Sequence, residues 1–210
     1  MNLNRPLTSL IPTLEGEVLT VLAGADKAFT GSQVHELVGK HSDRGIRNAL
    51  QKLNVQGIVS RTAAGAADLY KLNPEHLMTK YIRSVVNLKI EFLHALKKEV
   101  INWKIQAECC ALFGSAARSD MDLESDIDIF IVRSNGIDFN SVVWRTQLAV
   151  LSSKIKHMTG NDAQIFELNR DGIKMELMSK EGVLYSVIEQ GIIFHGPSEY
   201  LRTLRYKKSG

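Results

Sequence analysis

The stretch from Ala107 to Val132 constrains the fold most. One apolar run, Ala107 to Phe113, stops at Gly114-Ser115, and a second, Ile127 to Val132, begins directly after Ser125-Asp126. Short apolar runs bounded by turn residues read as buried strands. Strand alternation then places Asp126 and Asp128 on one face and Ile127 and Ile129 on the other. Two neighbouring carboxylates repel each other. A cation between them removes that cost, and hard oxygen ligands select Mg²⁺ or Mn²⁺. At the other end of the loop, a strand ending in Gly-Ser lets backbone N–H groups approach an anion closely. Arg118 lies three residues after Ser115, so one helical turn brings it to the same side. A phosphate cradle beside a divalent-cation site is the equipment for phosphoryl or nucleotidyl transfer.

The remainder of this half alternates helical and strand patterns, as an α/β or α+β domain does. Phe139 to about Met158 carries Val142, Val143, Leu148, Leu151 and Ile155 at helical spacing. Ala163 to Leu168 is a third strand, Asp171–Met178 and Glu181–Gln190 are short helices, and Gly191–Phe194 is a last short strand. Residues Arg202 to Lys208 hold four cations and read as a frayed tail.

The first half reads as helices followed by a hairpin. Leu14, Val18, Val21 and Leu22 give a helix over about Pro12–Ala23. Phe29-Thr30-Gly31-Ser32 breaks it, and Thr30 or Ser32 can cap a short helix over Gln33–Gly39. Ser42 or Asp43 caps a third, Arg44–Val55. There Ile46, Ala49, Leu50 and Leu53 form one face, and Arg44, Arg47, Asn48, Gln51 and Lys52 the other. Gly57–Arg61 and Asp68–Leu72 are β-like, with a small-residue loop, Thr62–Ala67, between them. Pro74 suits the first turn of a helix. Apolar steps of three and four then run from Leu77 to Val100, which predicts one long helix over 75–104 that joins two domains or forms a dimer seam.

Charge divides along the same line. Residues 1–104 carry 14 Lys+Arg against 9 Asp+Glu, and residues 105–210 carry 12 against 14. A net of +5 beside −2 points to two parts with different partners. Hydrophobic residues at 44% exclude a disordered chain. No apolar window is long enough for a membrane span, and the first residues lack a secretory pattern, so no membrane is expected and a cytoplasmic location is. Cys109 and Cys110 are neighbours and read as small buried hydrophobes rather than a disulfide. The six histidines are scattered without metal-ligand spacing, Trp103 and Trp144 read as core, and Asp120, Asp122 and Glu124 as a solvated loop.

Two resemblances follow from these patterns. Three helices and a hairpin over about Leu7–Asn73 resemble the winged helix-turn-helix family. That resemblance implies double-stranded DNA as a partner, with Arg44, Arg47, Asn48 and Gln51 facing the duplex and Arg61 on the wing. Five Lys or Arg against one Asp between Lys40 and Arg61 suit phosphates. A solvated helix face, or a protein partner, is the competing explanation. Gly114-Ser115, Arg118 and Ser125-Asp126-x-Asp128 resemble the signature of the DNA polymerase beta-like nucleotidyltransferase superfamily, in its minimal branch. The expected architecture is therefore two-domain α/β (α+β). It comprises a winged helix at 1–74, a connecting helix at 75–104 and a nucleotidyltransferase-like mixed sheet with flanking helices at 105–210.

The second resemblance implies that Gly114 and Ser115 contact the phosphates of an NTP, that Arg118 and Ser125 support them, and that Asp126 and Asp128 are catalytic and bind Mg²⁺ or Mn²⁺. It also implies a third carboxylate on Ala163–Leu168, where Gln164 stands in the aligned position. Asp162 is on the same face, two residues earlier, and Glu167 on the opposite one. Many relatives have Gly where this chain has Ser119. Two functional expectations result. One is transfer of a nucleotidyl group from an NTP to an acceptor hydroxyl. The other is a DNA-binding regulator whose degenerate transferase domain senses nucleotide or binds a partner protein; Gln164 favours this one.

Overall fold

The computed structural model describes residues 1–179 and 182–208. The first part opens with α1 (Pro6–Leu10), α2 (Leu14–Ala23), β1 (Phe29–Thr30), α3 (Gly31–Val38) and α4 (Asp43–Val55). Helix α1 was not anticipated: it is short, and only Pro6 and Leu7 are buried on it. Thr30 caps α3 through a capping box with Gln33, and the Ser42 hydroxyl accepts from Gly45 N at the start of α4. These caps satisfy N–H groups that would otherwise lack partners.

Strands β2 (Val59–Ala64) and β3 (Ala67–Leu72) form an antiparallel hairpin, and β1 pairs with β3 to give the order β1-β3-β2. The loop expected at Thr62–Ala67 is mostly strand. Gly65 takes φ +62 and Ala66 does not follow it to positive φ, so a tight two-residue turn of the II′ kind closes the hairpin. Val18, Leu22, Val34, Ile46, Leu50 and Leu72 form the fully buried centre of this part.

The single helix expected over 75–104 is instead two, α5 (Thr79–Val86) and α6 (Leu88–Ile101), with Asn87 between them at φ −86, ψ 4. Pro74 starts no helix. Residues 74–78 form turns tied down by Asn73, whose Oδ1 accepts from Glu75 N and whose carbonyl accepts from Thr79 Oγ1. The apolar steps continue across Asn87, so periodicity alone does not reveal the break. Contacts divide the chain between Lys89 and Ile90, inside this segment. Asn4–Lys89 form one unit together with Asn2, and the residues from Ile90 onward form the other together with Met1 and Leu3.

The second unit is built on β4 (Cys109–Phe113), α7 (Gly114–Arg118), β5 (Ile127–Arg133), α8 (Val142–Thr159), β6 (Ala163–Asn169), α9 (Arg170–Ser179), α10 (Val183–Gln190), β7 (Ile192–His195) and α11 (Tyr200–Lys208). The sheet order is β6-β5-β4-β7. Strands β4 and β5 are antiparallel, as are β4 and β7, while β5 and β6 are parallel across the α8 crossover, which makes the sheet mixed. The frayed tail expected at 202–208 lies in α11, and Glu181, expected to open a helix, lies outside the described residues. Ile127, Ile129 and Ile131 pack on one face with Trp144, Leu151, Leu96 and Val100; Phe130 and Val132 pack on the other with Leu184 and Val187. Cys109 and Cys110 are buried free thiols, and burial pushes the Cys109 thiol up to about 12. No helix among the described residues is long and apolar enough to cross a membrane.

Candidate nucleotide site on the mixed sheet

The ends of β4, β5 and β6 converge on one polar patch. Phe113 pairs with Asp128 and Asp128 with Gln164, so three adjacent strands bring these residues side by side, with Gly114 directly after the first. Gly114 opens α7 at φ +67, and a Cβ there would overlap Asp128 Oδ2 and stand 2.9 Å from its Cγ. Glycine is thus required twice, by backbone conformation and by the close approach of the carboxylate. Burial, and then the charge of Asp126, push the Asp128 carboxyl above its ordinary range, while Arg118 pulls the other way.

Gln164 Nε2 donates to Asp126 Oδ2 at 3.2 Å. The Gln164 amide therefore faces the acidic pair. Asp162 is spoken for by Lys156, at 2.9 Å, and Glu167 by Arg133. Asp126 and Asp128 are the carboxylates that could hold a divalent cation. No group of three His, Cys, Asp or Glu of metal-binding geometry occurs among the described residues.

In the loop between α7 and β5, Asp120, Asp122 and Glu124 are exposed, as expected, and side-chain hydrogen bonds hold the loop. Ser119 sits at φ +74, the left-handed C-cap of α7, a conformation that glycine adopts without strain. Arg118 donates through Nε to Asp120 Oδ2 at 3.0 Å and through Nη1 to Gln190 Oε1 at 3.2 Å. Its charge is thus compensated within the loop. The Ser125 hydroxyl donates to Asp122 Oδ1 at 2.7 Å and accepts from Asp122 N at 3.0 Å; the first of these bonds is the main cause holding the Asp122 carboxyl below its usual range. Ser125 therefore closes the loop through its side chain. Ser115 is half-buried in α7, and its carbonyl accepts from Ser119 N and Asp120 N.

Two residues here escaped the sequence reading. Buried Asn161 donates through Nδ2 to Ser125 O at 2.9 Å and Leu123 O at 3.3 Å, which anchors the approach to Asp126. Gln190, at the end of α10, holds Arg118. Both act across long sequence separations, and no local pattern marks them.

In the first unit, Arg44, Arg47, Asn48 and Gln51 are exposed on α4. Arg47, Gln51 and Arg61 line a cavity of about 410 Å³ with Thr30, Ser32 and Tyr70; Arg44 and Asn48 stand outside its lining. Arg47 pairs with Asp43 and Arg61 with Asp68, each at 2.7 Å.

A family model described as Polymerase beta, Nucleotidyltransferase matches residues 96–190, under half of the chain. The matched stretch lies within the second unit. Among solved structures, a toxin-antitoxin complex with AMP-PNP is similar at 18% identity and TM-score 0.38, covering 56% of this chain and 83% of that one. A mutant of the toxin-antitoxin MntA-HpeT is similar at 16% identity and TM-score 0.37, covering 57% and 82%. No curated protein matches.

Proposed function

We propose that the second unit binds an NTP with Mg²⁺ or Mn²⁺ and transfers its nucleotidyl group to an acceptor hydroxyl. The observation that carries this reading is the packing of Asp128 against Gly114, with Asp126 on the same strand face. The donor set suits one divalent cation: two like-charged carboxylates, one of them half-buried, lie close enough for the charge of Asp126 to act on Asp128, and Arg118 opposes that effect. When bound, that cation would supply charge neutralisation at the phosphates. The Gly114-Ser115 turn would hold phosphate oxygens through backbone N–H groups, and Arg118 would exchange Asp120 for phosphate. Gln164 has no basic group with which to take the acceptor proton, so transfer would be slow. Incubating the full chain with labelled NTPs, Mg²⁺ and cell extract tests this; labelled product is expected, and NTP binding without any product would restrict the domain to nucleotide sensing.

Mn²⁺ titration should show saturable binding that Asp126→Asn combined with Asp128→Asn removes. Equal binding by the double variant would place the cation elsewhere.

The second reading, a DNA-binding regulator, is favoured by Gln164 facing Asp126 and by the exposed basic face of α4. In that reading residues 1–74 form a winged helix, with α4 as its reading helix and the β2–β3 hairpin as its wing. Arg44→Ala and Arg47→Ala should each weaken duplex DNA binding severalfold and flatten its dependence on salt. Arg47 and Arg61 must leave their carboxylate partners to meet phosphate, so Asp43→Asn should tighten binding. No duplex binding by the wild-type chain at low salt would overturn the DNA assignment.

A further inference from the structure

A second cavity lies on the opposite face of the mixed sheet from Asp126 and Asp128. Alternation along β5 places Arg133 on the face of Ile127, Ile129 and Ile131, under α8, rather than on the face of Asp128. Between α8 and the edge strand β6 is a cavity of about 540 Å³, open to solvent at the sheet edge. That volume is within the ordinary range for small-ligand sites. Arg133, Glu167, Phe139, Arg145, Leu148 and Ser152 are among its lining.

The chemistry of the lining is specific. The Arg133 side chain is only 10% exposed and that of Glu167 11%, and the two are paired at 2.5 Å. Arg133 also donates to the carbonyl of Ile137, so part of its guanidinium fork is fixed and the charge is held in place. Arg145 stands with its guanidinium 5.4 Å from the Phe139 ring centroid and, among the described residues, makes no ion pair with a carboxylate. Two guanidinium groups against one carboxylate leave the cavity net cationic. Phe139 and Leu148 supply an aromatic and an apolar wall, and Ser152 a hydroxyl.

We propose that this cavity binds a small organic anion with an aromatic body, of mononucleotide size. The anionic group would meet Arg145 and Arg133, and the planar body would lie against Phe139 and Leu148. The site is independent of the acidic patch on the other face and of any cation there.

Calorimetric titration of the full chain with AMP, in EDTA, tests the assignment apart from the catalytic reading. Saturable binding is expected, weakened at least tenfold by Arg145→Glu and by Ser152→Trp, and unchanged in Arg118→Ala. Adenosine should bind at least tenfold more weakly than AMP. Arg145 is exposed, so its substitution should leave thermal melting unchanged; Arg145→Ala provides a second variant that adds no new charge. Absence of saturable AMP binding at millimolar concentration would overturn the proposal. So would binding that survives both Arg145 variants, or binding lost in Arg118→Ala.

Discussion

Gln164→Asp is expected to raise nucleotidyl transfer by about 10²-fold, the lower end of what a positioned general base contributes. The wild-type amide already lies in register with Asp128 and within hydrogen-bond distance of Asp126 Oδ2. An aspartate there would add a third carboxylate to the pair, able to accept the acceptor's proton and to complete a cation's oxygen shell. NTP binding should change less than the transfer rate, because the phosphate-facing turn is untouched. Single-turnover transfer with labelled NTP separates the two effects. A wild-type enzyme that is already fast, loses activity in Asp162→Asn and keeps it in Gln164→Ala would make Asp162 the third acid. The Lys156–Asp162 pair argues against that outcome.

Gly114→Ala should abolish cation and nucleotide binding and destabilise the second unit by about 2–5 kcal/mol. Left-handed backbone costs a residue with a Cβ about 1–2 kcal/mol. Forcing a methyl against a packed group adds about 1–3 kcal/mol. Here the group displaced is the Asp128 carboxylate, so the stability loss and the loss of Mn²⁺ binding should appear together. Gly65→Ala is the internal control. Gly65 also has positive φ, at +62, but a Cβ there meets nothing within 4 Å. It should cost only the backbone strain, about 1–2 kcal/mol, and leave Mn²⁺ binding intact. Thermal melts and Mn²⁺ titrations of both variants give the comparison. Mn²⁺ binding retained by Gly114→Ala would break the link between the turn and the acidic pair.

Much of the candidate site is local in sequence and was legible for that reason. Period two fixes the common face of Asp126 and Asp128 wherever a strand begins at Ile127, and Gly114 ends the preceding apolar run by composition alone. The alignment of Gln164 with the third-acid position required the resemblance; the parallel register of β5 and β6 sets Gln164 beside Asp128. What the sequence could not show is how the loop from Ser119 to Asp126 is held. Arg118 turns to Asp120 and Gln190, Ser125 to Asp122, and Asn161 reaches back to Leu123 and Ser125. Each partner is chosen by proximity in space, and polar residues in a loop carry no periodic signal.

The same division runs through the whole chain. Apolar periodicity and capping residues by themselves determined most of the helices and strands, because a buried face must repeat with the backbone's own period and a helix end must satisfy its N–H groups. Tertiary structure decided the rest. Asn87 interrupts a continuous apolar stripe, Ala63 and Ala64 join a strand because β3 offers its hydrogen bonds, and β7 joins the sheet beside β4. Backbone pairing and a break in a helix depend on what packs alongside, and a neighbour distant in sequence leaves no mark on the local pattern.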